Sequence, residues 1–266
     1  MINIRTIRRI SRDVYLSIIG FFKRPSPYVH ILNGHMVDWH HDNEDDGKRF
    51  GKQLAELHKY CDFVNIEEAV HMIVNKERVN RPTVAFTFDD GWRDCYTEIA
   101  PQLEKYKINA MFFINPHFAD AADNNDEAYI ENFTVNTTKS PGKHPMTWEQ
   151  IKDLQKRGFK IGAHTLDHYC INDDNVEELR HQIVDCRIVM EEKLGVSCEY
   201  FAFPYGRIEH ANPMSIDLAY DTYKYVFSQS DYKHFFSYGG KVINRRHFEP
   251  FWPINHLMYF LSIKRK

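Results

Sequence analysis

The sequence has no CxxC pair, no long apolar run, no excess of charge of either sign and no stretch of biased composition. Its five cysteines, Cys61, Cys95, Cys170, Cys186 and Cys198, are scattered and odd in number. That argues against a closed disulfide framework and for reduced thiols in a reducing, cytoplasmic compartment. No apolar stretch approaches the ~20 residues that a membrane-spanning helix needs. Thirty-four Lys and Arg against 37 Asp and Glu give a net charge of -3, so nothing draws the chain generally to nucleic acid. An ordinary composition, 43% apolar and 27% charged, excludes long disorder. At 266 residues the chain suits one large domain with a substantial core.

The first residues differ from the rest. Arg5, Arg8, Arg9, Arg12, Lys23 and Arg24 face a single acid, Asp13, while Ile4, Ile7, Val14, Ile18 and Phe21 recur at helical spacing. "VYLSIIGFF" is too short for a secretory signal, and "KRPSP" follows it in place of a small-residue cleavage site. The chain therefore divides into a basic amphipathic segment, 1–27, and a domain, 28–266. The segment is expected either to pack on the domain or to lie on a membrane surface through residues 1–24.

From "YVHILNGHMV" onward apolar strand-like runs alternate with helical periodicity. "TVAFTF", "NAMFFIN", "FKIGAH", "EYFAFPYG" and "KYVFS" read as strands. "KRFGKQLAELHKY", "EEAVHMIVN", "TWEQIKDLQKRG" and "NVEELRHQIVDCRIVMEEKLG" read as helices, with Thr147 and Gln150 in capping-box positions and Gly158 as a stop. Such alternation with short links predicts parallel strands wrapped by helices. An open doubly wound sheet would satisfy it, but a (β/α) barrel explains the polar residues better. Asp89 and Asp90, His164, and Tyr205 each end a different strand, and in a barrel those ends converge on one face.

"TFDDGW" places two like charges side by side after a buried strand, so each needs its own role. "HTLDH" supplies two imidazoles four residues apart, a spacing that lets both point one way from a helical turn. Two histidines and a carboxylate form a three-ligand set for a divalent metal. On this reading Asp90, His164 and His168 hold the ion and Asp89 remains free to accept a proton. His40 and His41, in "HHDNEDDG", read instead as part of a hydrated loop.

The order strand, "TFDDG", strand, "HTLDH", strand, "FPYG" resembles the NodB-like polysaccharide deacetylases, carbohydrate esterase family 4, over roughly residues 28–230. The resemblance implies a distorted (β/α) barrel, often seven-stranded, with Asp89 as catalytic base and Asp90, His164 and His168 as metal ligands. Zinc is the first expectation, and nickel, cobalt or iron suits the same donors. Two features depart from the familiar pattern. An arginine usually stands two residues before the proline of the third motif, where this chain has Ala202, and no late histidine motif is obvious. "ILNGHMV" and "FAFPYG" are similar to the permuted branch of poly-N-acetylglucosamine deacetylases, which implies His35 as general acid, with His256 as the alternative.

The implied reaction is hydrolysis of an N-acetyl group on an amino sugar of a glycan or glycan precursor, with the backbone N–H of Tyr205 holding the oxyanion. Pro204 would fix that turn, Trp92 would stack on a sugar face, and Arg246 or Arg245 would meet an anionic substrate or orient Asp89. Surface charge at a strand end is an equally good reading of the two arginines. Residues 116–145 read as a long polar loop that shapes the substrate site. A glycan O-deacetylase, or a carbohydrate-binding protein that has lost turnover, are the other readings.

Overall fold

The structure, a computed structural model, describes residues 4–38, 44–138, 142–229, 231 and 233–266. His40 and His41 lie outside the described residues. Short runs rich in β-branched and aromatic side chains form the strands β1 (Val29–Gly34), β2 (Asp62–Phe63), β3 (Thr83–Phe88), β4 (Ala110–Ile114), β5 (Lys160–Ala163), β6 (Tyr200–Ala202) and β7 (Tyr225–Ser228). Three short ones follow: β8 (Phe236–Ser237), β9 (Val242–Asn244) and β10 (Arg246–His247).

Strands β1, β3, β4, β5, β6 and β7 are neighbours in that order, all parallel. One bent segment then joins the two edges. β9 lies parallel on β7, with Asn244 opposite Ser228, and β10 lies parallel on β1, with Arg246 opposite Leu32. Only Arg245 separates them, so residues 242–247 close the ring. The barrel class is the one expected, though the sheet contains ten strand segments among the described residues. Counting β9 and β10 as one bent strand leaves seven around the ring, with β2 beside β3 and β8 antiparallel to β9.

Period-2 alternation sorts the strand side chains into two cores. Ile31, Ala85, Met111, Phe113, Ala202, Phe227 and Ile243 point inward, and the helix Ile66–Val74 closes that interior with Ile66, Ala69, Val70 and Ile73. Leu32, Val84, Phe86, Phe88, Phe112 and Val226 point outward against the surrounding helices. The capping box at Thr147 forms as the sequence implies, with the Gln150 N–H donating to Thr147 Oγ1. Gly158, at φ +94°, turns the chain out of that helix.

Residues 116–145 depart from the expected loop. They contain two helices, Pro116–Asn124 and Glu127–Thr138, packed through Phe118, Ala119, Ala121, Ile130 and Phe133. The few apolar residues are diluted by polar ones, but Pro116 at the first turn and left-handed Asn125 at the C-cap delimit the first helix.

The helix Ile4–Phe21 packs against the helix Ile254–Leu261, as the domain-packing reading expects. Leu16 and Gly20 are buried, and a Cβ on Gly20 would fall 1.9 Å from the Asn255 carbonyl oxygen. His256 Nε2 lies 3.0 Å from Ser17 Oγ and 3.1 Å from the Asp13 carbonyl oxygen, within this helix pair.

Arg245 and Arg246 are both fully buried, which overturns the surface-charge reading. Alternation along the closing segment sends Arg246 outward, where its two terminal nitrogens donate to the Phe260 and Ile263 carbonyls. It is tied to the end of the last helix instead of meeting substrate. Removing a buried charged donor from such carbonyls costs roughly 3 kcal/mol. Arg246→Ala is expected to lower the unfolding free energy by about that amount in urea titration, and an unchanged midpoint would contradict the assigned role.

Candidate active site

β3 ends at Phe88, and the Asp89 N–H continues its pairing by donating to the Gly34 carbonyl at 3.0 Å. Asp89 is then held by Arg245 in a bidentate pair, Nη1 to Oδ1 at 2.7 Å and Nη2 to Oδ2 at 2.8 Å. Burial opposes the Asp89 charge, but the Arg245 guanidinium, helped by His164, keeps the carboxyl below its usual range. Arg245 also donates to Thr87 Oγ1 and lies over the Phe113 ring, 4.9 Å from its centroid.

Asp90 turns the opposite way because its backbone is left-handed, at φ +74°. Its Oδ2 accepts the Trp92 indole N–H at 2.9 Å. Its Oδ1 lies 3.4 Å from His164 Nε2 and 3.4 Å from His168 Nε2, and that oxygen is buried with no hydrogen-bond partner. His164 Nδ1 is 2.6 Å from the Ala202 carbonyl oxygen. A carbonyl only accepts, so Nδ1 carries a proton and Nε2 is the atom turned toward Asp90. The donor atoms of Asp90, His164 and His168 lie within 4.8 Å of one another. An orphaned carboxylate oxygen facing two imidazole nitrogens fits a divalent cation.

The two histidines do not share a helical turn, contrary to the reading from their spacing. Residues 164–168 form a loop in which Thr165 (φ +61°) and His168 (φ +57°) are left-handed. Thr165 Oγ1 accepts the Tyr169 N–H at 2.8 Å and folds the loop back, so that His168 returns beside His164. Their ring centroids are 5.3 Å apart.

Tyr205 is also left-handed (φ +62°), and its backbone N–H finds no acceptor among the described residues. Its ring packs edge-on against His168 at 4.8 Å. Pro204, before it, is buried in the turn and offers no face to a ligand. Left-handed non-glycine residues cost free energy, and Asp90, Thr165, His168 and Tyr205 gather that strain at one end of the barrel.

His35 follows β1 directly. Its Nδ1 is 2.8 Å from Glu249 Oε1, and its backbone N–H donates to Glu249 Oε2 at 3.2 Å. Burial opposes charge on this ring, yet Glu249, then Asp90 and Asp89, more than offset it and raise the pKa to about 9. His247, with its ring centroid 5.6 Å away, is pushed down to about 3 by burial and by His35, and it accepts a hydrogen bond from the Gln229 amide on Nδ1. One imidazole of this pair is thus charged and the other neutral.

Asp89, Asp90, His164, His168, Tyr205 and His35 therefore come to one end of the barrel, as the strand-end argument expects. Three other residues do not join them as ligand contacts. Trp92 is fully buried against Phe118 and Phe133, so it supports Asp90 and presents no face for a sugar. Arg246 faces the last helix, and His256 sits in the helix pair described above. Glu249 and His247 were not singled out from the sequence, and Arg245 was not separated from Arg246. The signal was present in "INRRHFE": alternation from inward Ile243 places Arg245 and His247 inward. Beside His168 an open groove of about 610 Å³ is lined by Tyr129, Phe133, Asp167, Tyr169 and Tyr205.

A family model described as polysaccharide deacetylase matches residues 76–220. The protein YxkH of Bacillus subtilis (strain 168), named for the same family, is 26% identical over 142 residues, which is 53% of this chain and 43% of that one. A bifunctional xylanase/deacetylase of Pseudobutyrivibrio xylanivorans is 24% identical over 141 residues, 53% of this chain and 19% of that one. The chain thus spans less than half the length of either relative. Among solved structures, the Streptococcus pyogenes deacetylase PplD, in complex with acetate, matches with a TM-score of 0.68 at 19% identity, covering 89% of this chain and 99% of that one. IcaB from Ammonifex degensii matches with a TM-score of 0.66 at 22% identity, covering 90% and 99%. At these identities the likeness is one of fold.

The geometry gives a direct expectation for metal binding. Isothermal titration with zinc should show a single tight site that His164→Ala abolishes. Trp92→Phe, which removes only the indole donor behind Asp90, should weaken it by about tenfold or more. Unchanged affinity in both variants would place the ion elsewhere.

Proposed function

The chain belongs to the polysaccharide deacetylase family, and on that premise we propose that it is a metal-dependent hydrolase that removes acetyl groups from N-acetylated amino sugars of a glycan or glycan precursor. The observation that carries this reading is the division of labour between adjacent carboxylates. Asp89 is held ionised by Arg245, while Asp90 offers an unpaired oxygen to two imidazole nitrogens. A protein that only binds carbohydrate has no use for an ionised proton acceptor beside a cation site.

Zinc, or else nickel, cobalt or iron, held by Asp90, His164 and His168 would supply Lewis-acid polarisation of the acetyl carbonyl and a lower pKa for the attacking water. Asp89 takes a proton from that water as it adds to the carbonyl carbon. Arg245 keeps Asp89 deprotonated and fixes both its oxygens. The unpaired N–H of Tyr205 donates to the developing oxyanion, a contribution on the order of 3 kcal/mol for one preorganised donor. His35, charged and oriented by Glu249, gives its proton to the amide nitrogen as the C–N bond breaks, releasing acetate and a free amine. The groove beside His168, lined by Tyr129, Tyr169 and Tyr205, supplies aromatic faces for sugar rings.

Acetate release from N-acetylglucosamine oligomers, measured beside release from an O-acetylated glycan, tests the substrate class. Preference for the O-acetylated glycan would move the reading to an esterase, and release from neither by the metal-loaded protein would favour the binding role. Asp89→Asn should lower turnover by at least about a thousandfold while leaving zinc affinity in place.

The pH profile carries a further expectation. Asp89 must be deprotonated, so activity falls as pH drops through its depressed pKa. Arg245→Met should shift that acid limb to higher pH. His35 must be protonated, so activity falls as pH rises through a value no higher than about 9, since a cation at Asp90 cancels part of the acidic field that raises it. Glu249→Gln should move this alkaline limb to lower pH. Limbs that stay fixed in both variants would overturn the base and acid assignments.

A further inference from the structure

We propose that the helix Ile4–Phe21 is a docking element for an anionic membrane surface. This goes beyond the deacetylase reading and does not depend on it. The argument rests on which face of the helix the domain uses. Leu16 (5% exposed) and Gly20 are buried against the helix Ile254–Leu261, with Asp13 and Ser17 on the same side contacting His256. At 100° per residue the apolar stripe is centred about 120° round the helix from that face. It is bare: Ile7 is 51% exposed, Val14 52%, Ile18 56%, Phe21 63% and Phe22 75%.

A helix that packs on its own domain normally does so through its greasy face, because that burial is what holds it there. Here the domain takes the side that carries the chain's close approach at Gly20, and the apolar stripe stays exposed, with Val14 and Ile18 at the rim of a groove shared with Phe251 and Trp252. A contiguous apolar stripe rimmed by charge marks an interaction surface.

The rim identifies the occupant. Arg8 and Arg12 flank the stripe on one side, and Lys23 and Arg24 are exposed beside its aromatic end. Asp13 is the one acid within residues 4–24, and it is paired with Arg12 at 2.9 Å. Cationic side chains around an apolar stripe that ends in two phenylalanines match the headgroup and acyl layers of an anionic bilayer. No described helix is long and apolar enough to cross a membrane, so the contact is peripheral. The surface adjoins the site, because Arg12 shares a cavity of about 520 Å³ with His247, Gln229, Trp252, Arg207 and Phe260. A bilayer under the helix would therefore lie beside the mouth of the barrel.

The test is sedimentation of the full chain with vesicles of phosphatidylcholine alone and of phosphatidylcholine with phosphatidylglycerol, while turnover of a soluble substrate and oligomeric state are followed in parallel. Binding is expected to the phosphatidylglycerol vesicles and to fall with added salt. The double variant Val14→Asp and Ile18→Asp should bind about a hundredfold more weakly, with soluble-substrate turnover and thermal midpoint unchanged. Arg8→Glu, which leaves the stripe intact, should weaken binding by several-fold. Equal sedimentation of wild type and both variants would overturn the proposal. So would a dimer that the double variant dissociates and that shows no vesicle binding, since the stripe would then belong to a second copy of the chain.

Discussion

The bidentate pair between Arg245 and Asp89 is the contact on which the reaction centre depends. Two carboxylates in consecutive positions at the end of a buried strand repel each other and both resist burial. The chain resolves this by giving each carboxylate its own partners. Arg245 takes both oxygens of Asp89, and the left-handed turn at Asp90 swings the second carboxylate toward His164 and His168. Without the guanidinium, Asp89 would lie buried beside Asp90 with its charge unpaired, and its carboxyl would be pushed up.

That arginine arrives on the segment that closes the barrel. Residues 242–247 must span from β7 to β1, and the change of partner happens at Arg245 itself. Closure, placement of Arg245 under Asp89 and placement of His247 beside His35 are thus one structural event. Alternation along the same segment sends Arg246 outward to tie the last helix. Two neighbouring arginines face the Asp89 site and the last helix because the pleat separates them.

Much of this was legible in the sequence. The strands β1 and β3 to β7, the capping box at Thr147 and the convergence of Asp89, Asp90, His164 and Tyr205 followed from apolar period and strand ends. What was not legible has physical causes. β9 and β10 contribute five residues in all, too few for a period to register, and their closing role is purely tertiary. The helices within 116–145 have diluted apolar faces, with Phe118, Ile130 and Phe133 as their large buried side chains. The spacing of His164 and His168 suggested a helix, whereas the loop reaches the same convergence through left-handed residues whose conformations no side-chain pattern announces. For the N-terminal helix the period revealed the stripe, but period alone does not say on which side the domain lies.

The departure at Ala202 shows how such a site tolerates rearrangement. The familiar family pattern puts an arginine on the strand that carries the "FPYG" turn, and here that position is an alanine whose side chain lies in the barrel interior. Arg245 stands two strands further round the ring. Inward positions near one end of a narrow barrel all face the same small volume, so a guanidinium can reach Asp89 from either strand. The small residue at 202 leaves room for the Arg245 side chain to lie across Phe113 and Phe227, and the Ala202 carbonyl still accepts the His164 Nδ1–H. What the chemistry fixes is the charge beside Asp89 and the proton on His164. The strand that supplies each is set only by how the ring closes.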